Sequence, residues 1–536
     1  MNFGWDLPYP SQRIPVLAQN VVATSQPLAA HAGIAMLERG GNAVDAALAA
    51  AIALTVVEPA SNGIGSDGFC MVWDGAQLHG LNASGRSPEG WTRDYFERRY
   101  PGGSAPPERG WDAVTVPGAV SQWVELSRRF GKLSFSMLFE PAIRYAEAGY
   151  LVSPVTALSW ARQAPFFADA AQFAEFQRVF LPQGRAPRAG EKITLPDHAA
   201  TLARIAETKG EAFYGGDIAR TIARESARCG AALTLDDLAR HRCDWVGTLK
   251  MDYREVTLHE MPPNGQGIAA LLCLGILENF DLAGLAVDSA DSVHLQIEAM
   301  KLAFADVQRH VADSGHMAVK TEALLDKVYL KERAKLIRMD RAGDPVSGIP
   351  GHGGTVYLAS ADANGMMVSF IQSNYMGFGS GIVAPGTGIS LQNRGHGFTL
   401  KADHPNCVAP RKRPFQTIIP GFLTTKSGAP LMSFGVMGGH MQPQGHVQMV
   451  TRICDYAQNP QAASDAPRWI VNADFSVGLE PGLSQKVEEE LLRRGHKIAP
   501  AEAVNFAFGG AQLIWKLADG YCAASDHRKD GLAVGC

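Results

Sequence analysis

Thr355 follows Pro350-Gly351-His352-Gly353-Gly354 and opens a run of strand formers, Thr355-Val356-Tyr357-Leu358-Ala359. A Gly- and Pro-rich segment breaks helix and strand alike, so the chain must change direction there and restart as sheet. A second apolar run, Met366 to Gln372, is joined to the first by Ala361-Asp362-Ala363-Asn364-Gly365, the composition of a hairpin turn. The junction has a chemical reading as well. Were the 354–355 bond cut, Thr355 would carry a free α-amine beside its own hydroxyl, base and nucleophile on one residue. Taken alone, the same residues read more readily as an ordinary loop and strand, since Gly and Pro mark loops everywhere.

The rest of the chain frames that hairpin. Val21-Val22-Ala23-Thr24 reads as a strand, Pro27 to Glu38 as a helix stopped by Gly40-Gly41, and Ala43 to Thr55 as an Ala-rich helix ended at Glu58-Pro59. Strands alternate with turns from Gly68 to Leu81, and residues 118–150 read as two helices. Residues 190–340 read as mostly helical, with the amphipathic stretch Val293 to Ala312 the clearest case. Strands return near 415–424, 430–437 and 511–525, with helices near 440–457 and 483–494. Strands at both ends need partners, so the two ends are expected in one mixed α/β core, with 339–354 as the linker.

Forty-nine basic residues against 53 acidic ones leave a net charge of −4 with no block of one sign, which predicts neither a nucleic-acid nor a membrane partner. The start lacks the basic and apolar regions of a signal peptide. The uncharged stretch between Asp45 and Glu58 is too short to span a bilayer. The expectation is a cytoplasmic protein with a small-molecule substrate. Eight scattered cysteines without a CxxC read as free thiols, Cys273 being set among leucines. Gly63-x-Gly65-x-x-Gly68 fits a dinucleotide fingerprint only formally: no strand precedes it, a strand follows it, and Asp67 would repel a pyrophosphate. His440 and His446 match no zinc spacing and are expected to pack near the loop at 438–439 or to cap the helix after it. No cofactor and no metal are expected.

Several segments together resemble the γ-glutamyltranspeptidase family. They include Val22-Ala23-Thr24-Ser25-Gln26-Pro27, Gly40-Gly41-Asn42-Ala43-Val44-Asp45-Ala46-Ala47, Gly63-Ile64-Gly65-Ser66-Asp67-Gly68-Phe69, Glu298-Ala299-Met300-Lys301-Leu302-Ala303-Phe304-Ala305-Asp306, Phe378-Gly379-Ser380-Gly381, Met437-Gly438-Gly439 and Ser525-Asp526-His527-Arg528. They run in family order over about residues 20–535. The resemblance implies an N-terminal nucleophile hydrolase, an α/β (α+β) fold in four αββα layers, made as a precursor that cuts itself between Gly354 and Thr355. The pieces are then 1–354 and 355–536, both building one sandwich, and a homo-oligomer of that two-piece unit is allowed. The resemblance casts Thr355 as nucleophile and base, Gly438 and Gly439 as the oxyanion loop, and Ser373 as the hydroxyl that touches the nucleophile. Tyr375 stands where the family often has Asn, and Arg86 lies in the region of its carboxylate-binding Arg, although counting back from Pro88 places Ser84 at that position.

The substrate side departs from the family. In Leu391-Gln392-Asn393-Arg394-Gly395-His396-Gly397-Phe398, Arg394 replaces Gln, and Gly397 stands where a carboxylate binds the γ-glutamyl ammonium. Gln416-Thr417 replaces a Ser pair. An ammonium buried without a carboxylate is poorly compensated. The expectations are therefore a Thr acyltransferase or hydrolase for γ-glutamyl amides such as glutathione. The alternative is an amidohydrolase for a small carboxylate-bearing amide, as in the branch typified by oxamate amidohydrolase, with Arg394 and Arg86 as the clamp. A catalytically silent binding protein is the third reading.

Overall fold

Apolar residues occupy both faces of the central strands. In the computed structural model, which describes residues 12–345, 354–500 and 506–536, Val356 and Leu358 of the strand Gly354–Ala361 point into one core, and Tyr357, Ala359 and Ala361 into another. Along Met367–Tyr375, Val368 and Phe370 face the first core, and Met367 and Ile371 the second. A strand buried on both faces must lie between two layers.

Those layers are two seven-stranded antiparallel sheets. The first runs Leu532–Gly535, Val21–Thr24, Gly354–Ala361, Met367–Tyr375, Asp67–Trp73, Leu78–Asn82, Asp244–Trp245. The second runs Val16–Ala18, Gly520–Ser525, Gly510–Leu517, Pro430–Met437, Gly421–Thr425, Val256–Glu260, Leu249–Tyr253. Both sheets draw strands from the two ends of the chain, as the pairing argument required. Phe69, Tyr357, Ile371, Phe422 and Ile514 fill the space between them. The helices Pro27–Glu38 and Ala43–Val57 cover the outer face of the first sheet. Ile268–Leu277, Ala290–His310 and Met441–Cys454 cover that of the second. The order is helix, sheet, sheet, helix, the expected αββα sandwich.

Small residues set the layer spacings. A Cβ on Gly435 would lie 2.5 Å from the Tyr357 ring, so this glycine lets the sheets close. A Cβ on Gly33 would lie 3.0 Å from the Ala46 carbonyl, where the two alanine-rich helices cross. The second of these helices is wholly buried and starts on a capping box between Asn42 and Asp45. Ser369 Oγ donates to the Gly421 carbonyl at 2.9 Å, a polar tie between the sheets.

One expectation is refined and one changes. Residues 190–340 are mostly helical, as expected, but Leu249–Tyr253 and Val256–Glu260 within them form an edge hairpin. Residues 415–420 belong to no strand. Gln416 instead exchanges backbone bonds with Asn264 and Gln266, at 2.9 Å each, and the strand begins at Gly421. The described residues include no helix long and apolar enough to cross a membrane.

Candidate active site

Sheet register brings the candidate residues together. Gly354 pairs with Tyr375 and Val356 with Gln372, so Thr355 alone stands opposite Ser373 and Asn374. This bulge re-aims local side chains and leaves Tyr375 at φ 77°. The buried Thr355 hydroxyl donates to Ser373 Oγ at 3.3 Å and accepts from Gln442 Nε2 at 3.3 Å. Ser373 Oγ also accepts the Tyr375 N–H at 2.8 Å. Pro350, Gly351, His352 and Gly353 lie outside the described residues.

Gly438 and Gly439 connect the strand Pro430–Met437 to the helix that carries Gln442. Their φ values are 119° and 61°, backbone that L side chains avoid, and a Cβ on Gly438 would lie 3.1 Å from Gly509 Cα. Among the described residues neither glycine N–H has a hydrogen-bond partner. Both stand before the positive end of a 14-residue helix, where a developing anion is stabilised. Gln266 Nε2 holds the loop by donating to the carbonyls of Gly439 (2.9 Å) and Thr417 (2.6 Å). His440 Nδ1 lies 3.0 Å from Gln266 Oε1, and its ring stacks on Phe415. His446 is buried deeper in the same helix, 2.5 Å from Glu260.

One strand over in the same sheet lies Asp67, the cross-strand partner of Ser373. Its Oδ1 accepts the Gly85 N–H at 3.0 Å and its Oδ2 accepts Gln416 Nε2 at 2.7 Å. Burial pushes its carboxyl up to about 6, against the opposing pull of Arg394, these hydrogen bonds and Arg413. Arg394 is fully buried, which lowers it to about 10 and leaves it cationic at neutral pH. Its guanidinium lies 4.4 Å over the Tyr375 ring, and Nη1 donates to Thr417 Oγ1 at 2.8 Å. The face of Tyr375 is therefore what Arg394 uses, rather than its phenol.

Of the sequence candidates, Thr355, Ser373, Gly438, Gly439, Tyr375, Arg394, Gln416 and Thr417 fall into one connected cluster. Arg86 does not join it by any hydrogen bond or ion pair among the described residues. It is half-exposed and held by Asp244 at 3.4 Å and Asp313 at 3.5 Å. The buried arginine near Ser84 is Arg413, whose Nε donates to the Ser84 carbonyl at 2.9 Å and whose Nη1 meets Asp244 at 2.7 Å. Gln442, Gln266, Asp67 and Arg413 were not singled out as site residues. Asp67 alone had a readable signal, a carboxylate at the head of an apolar strand.

The γ-glutamyltranspeptidase family model matches residues 29–536. The glutathione hydrolase-like YwrD proenzyme of Bacillus subtilis (strain 168) is 36% identical over 526 residues, 96% of this chain and 98% of its own. The oxamate amidohydrolase proenzyme of Klebsiella pneumoniae subsp. pneumoniae is 35% identical over 522 residues, 95% of this chain and 97% of its own. The crystal structure of a cephalosporin acylase from Bacillus halodurans superposes with a TM-score of 0.95 at 46% identity, covering 100% of this chain and 99% of that one. With matches of this extent, the chain belongs to the γ-glutamyltranspeptidase family of N-terminal nucleophile amidohydrolases.

Proposed function

We propose that the chain is a precursor that cuts itself between Gly354 and Thr355 and then hydrolyses amides through an acyl-enzyme on Thr355. The observation that carries this is the Thr355 hydroxyl, set between Ser373 and Gln442, with the Gly438-Gly439 loop leading into the helix that carries Gln442. After cleavage the freed α-amine takes the hydroxyl proton while Oγ1 attacks the amide carbonyl. The Gly438 and Gly439 amides receive the tetrahedral oxyanion. The leaving amine departs with the proton and an ester remains. Water, or an acceptor amine, then releases the acyl group.

Two acyl donors fit this reading. γ-Glutamyl amides such as glutathione follow from the family and from the glutathione hydrolase-like relative. A small amide bearing a carboxylate, as in the oxamate amidohydrolase relative, is favoured by the buried cation Arg394 and by the absence of an acid at Gly397. Intact mass under denaturing conditions tests the chemistry common to both. Wild type should give two pieces, 1–354 and 355–536, and Thr355→Ala one chain without activity. A single chain from both proteins, with no amide turnover, would shift the reading to a silent binding protein.

A further inference from the structure

Resting on the amidohydrolase reading, we infer that Gln442 is a catalytic residue, its side-chain amide sharing with the Gly438 and Gly439 amides the oxyanion formed when Thr355 attacks. Gln442 is fully buried in the first turn of the helix Met441–Cys454. Its Oε1 accepts the Ile419 N–H at 2.9 Å. That bond settles which end of the amide is which, since only the carbonyl oxygen can accept there. Nε2 therefore faces the Thr355 hydroxyl, at 3.3 Å. One of its two hydrogens is used on that hydroxyl, and the other has no acceptor among the described residues. Three other buried glutamines around this helix are complete. Gln444 Nε2 donates to the carbonyls of His440 (3.0 Å) and Val471 (3.2 Å), and its Oε1 accepts the Val471 N–H at 2.7 Å. Gln448 Nε2 donates to the carbonyls of Gln444 (3.1 Å) and Trp469 (3.0 Å), and its Oε1 accepts the Trp469 N–H at 3.2 Å. Gln266 uses both hydrogens on the Thr417 and Gly439 carbonyls and its Oε1 on His440. Of the four, Gln442 alone keeps a hydrogen spare, and its single acceptor is the reacting hydroxyl. Buried donors are rarely left unfilled without a reason.

The reaction supplies the missing acceptor. Thr355 Oγ1 bonds to the amide carbon, its proton passes to the freed α-amine, and the carbonyl π pair moves onto the carbonyl oxygen. Oγ1 and the new oxyanion then share one carbon, so a donor that reaches the first is within reach of the second. Collapse of the oxyanion breaks the C–N bond, and the amine leaves with the proton. Attack of water on the ester raises a second oxyanion at the same place. A donor met by charge only in these steps raises kcat and leaves substrate affinity nearly unchanged. Because acylation and deacylation both pass through an oxyanion, the effect on kcat holds whichever step is slower.

Gln442→Met and Gln442→Glu test this, since both keep the length of the side chain and the second keeps an acceptor for the Ile419 N–H. The probes are γ-L-glutamyl p-nitroanilide, glutaryl p-nitroanilide and oxamate, and kcat is counted per chain that intact mass shows to be cut at 354–355. On whichever probe wild type turns over, Gln442→Met should lower kcat about 100-fold and leave KM within about threefold. Gln442→Glu should lose at least as much at about pH 8, where an ionised carboxylate repels the oxyanion. Between about pH 8 and 5 it should regain about tenfold relative to wild type, a ratio that cancels the titration of the Thr355 α-amine, because a protonated carboxyl donates again. Gln442→Met should show no such recovery. A kcat within about threefold of wild type for Gln442→Met, or the same pH profile for both variants, would overturn the inference alone. Folded variants that stay uncut while wild type is cut would place Gln442 in the self-cleavage step instead, and variants without wild-type circular dichroism would make it structural; either result overturns the assignment. A wild type that turns over none of the probes would sink the amidohydrolase reading and this inference with it.

Discussion

Arg394 and Arg468 are both fully buried, and an aspartate lies near each, yet the two guanidinium groups are held in opposite ways. Arg468 donates to the carbonyls of Phe508 (2.6 Å) and Ser464 (2.9 Å) and to Asp526 at 2.5 Å. Burial alone would raise Asp526, but Arg468, Arg528 and the N–H groups of Ala511 and Arg528 hold it well below the usual carboxylate range. Arg394 has one side-chain bond, to a threonine, and its aspartate is pushed up to about 6. The first guanidinium has both Nη groups engaged, with only Nε lacking a partner among the described residues, and it serves the fold, since it fixes Phe508 and so the Gly509 that packs under Gly438. The second has only Nη1 engaged, with Nε and Nη2 lacking partners among the described residues. Burial and charge are alike in the two corners; the carboxylate within hydrogen-bond distance of Arg468, which Arg394 lacks among the described residues, is what separates them.

The comparison can be broken by mutation. Asp526→Ala should cost about 3–5 kcal/mol in urea unfolding, because it strands a buried cation. Equal losses from Asp526→Ala and Arg394→Gln would erase the distinction, since Arg394 has no ion pair to lose and its variant should shift stability by less than about 1 kcal/mol. Gly438→Ala probes the Arg394 corner. Displacing one oxyanion amide should lower kcat about 10²- to 10³-fold, measured on the processed enzyme with any amide it cuts.

Asp67→Asn sharpens the contrast through pH. A carboxyl raised in the folded state to about 6 gives a contribution that is fully present below the unfolded value near 3.8 and is lost as pH rises through 6. The asparagine variant should therefore match wild type near pH 3 and be the more stable at pH 7, by about 3 kcal/mol at most. Asn still accepts the Gly85 N–H, and its amide can face Gln416 Oε1 once that side chain flips. A stability difference between wild type and the asparagine variant that stays constant between pH 4 and 7 would show that Asp67 is an ordinary ionised acid.

Much of the scaffold was legible locally. Val21–Thr24, Pro27–Glu38 and Pro430–Met437 lie where pattern and capping put them, because each carries its own stop signals. The hairpin at 356–372 turns through Gly365 at φ 93°, a conformation its Asp-Ala-Asn-Gly sequence favours. The edge hairpin at 249–260 escaped because its strands are five residues each, although Met251, Tyr253, Val256 and Leu258 are its buried side chains. In the site, Thr355, Ser373 and the two glycines could be picked out from resemblance, and Arg394, Gln416 and Thr417 as departures from it. Arg86 looked suitable as a charge in the right segment, but acids at 244 and 313 claim it.

By itself the sequence determined the layers and marked the candidate nucleophile: two-faced apolar strands demand a sandwich, and a glycine-rich break before Thr355 singles out a residue that would combine base and hydroxyl if the chain is cut there. Tertiary structure alone decided which charges attend that residue. Asp67 meets Ser373 through antiparallel register across 306 positions of chain, Gln442 arrives on a helix of the opposite sheet's outer layer, and Arg394, with Tyr375 against its face and Thr417 on Nη1, keeps two donors without an acceptor among the described residues. Hydrogen-bond completion depends on distances of a few tenths of an ångström between remote segments, and no local pattern encodes it.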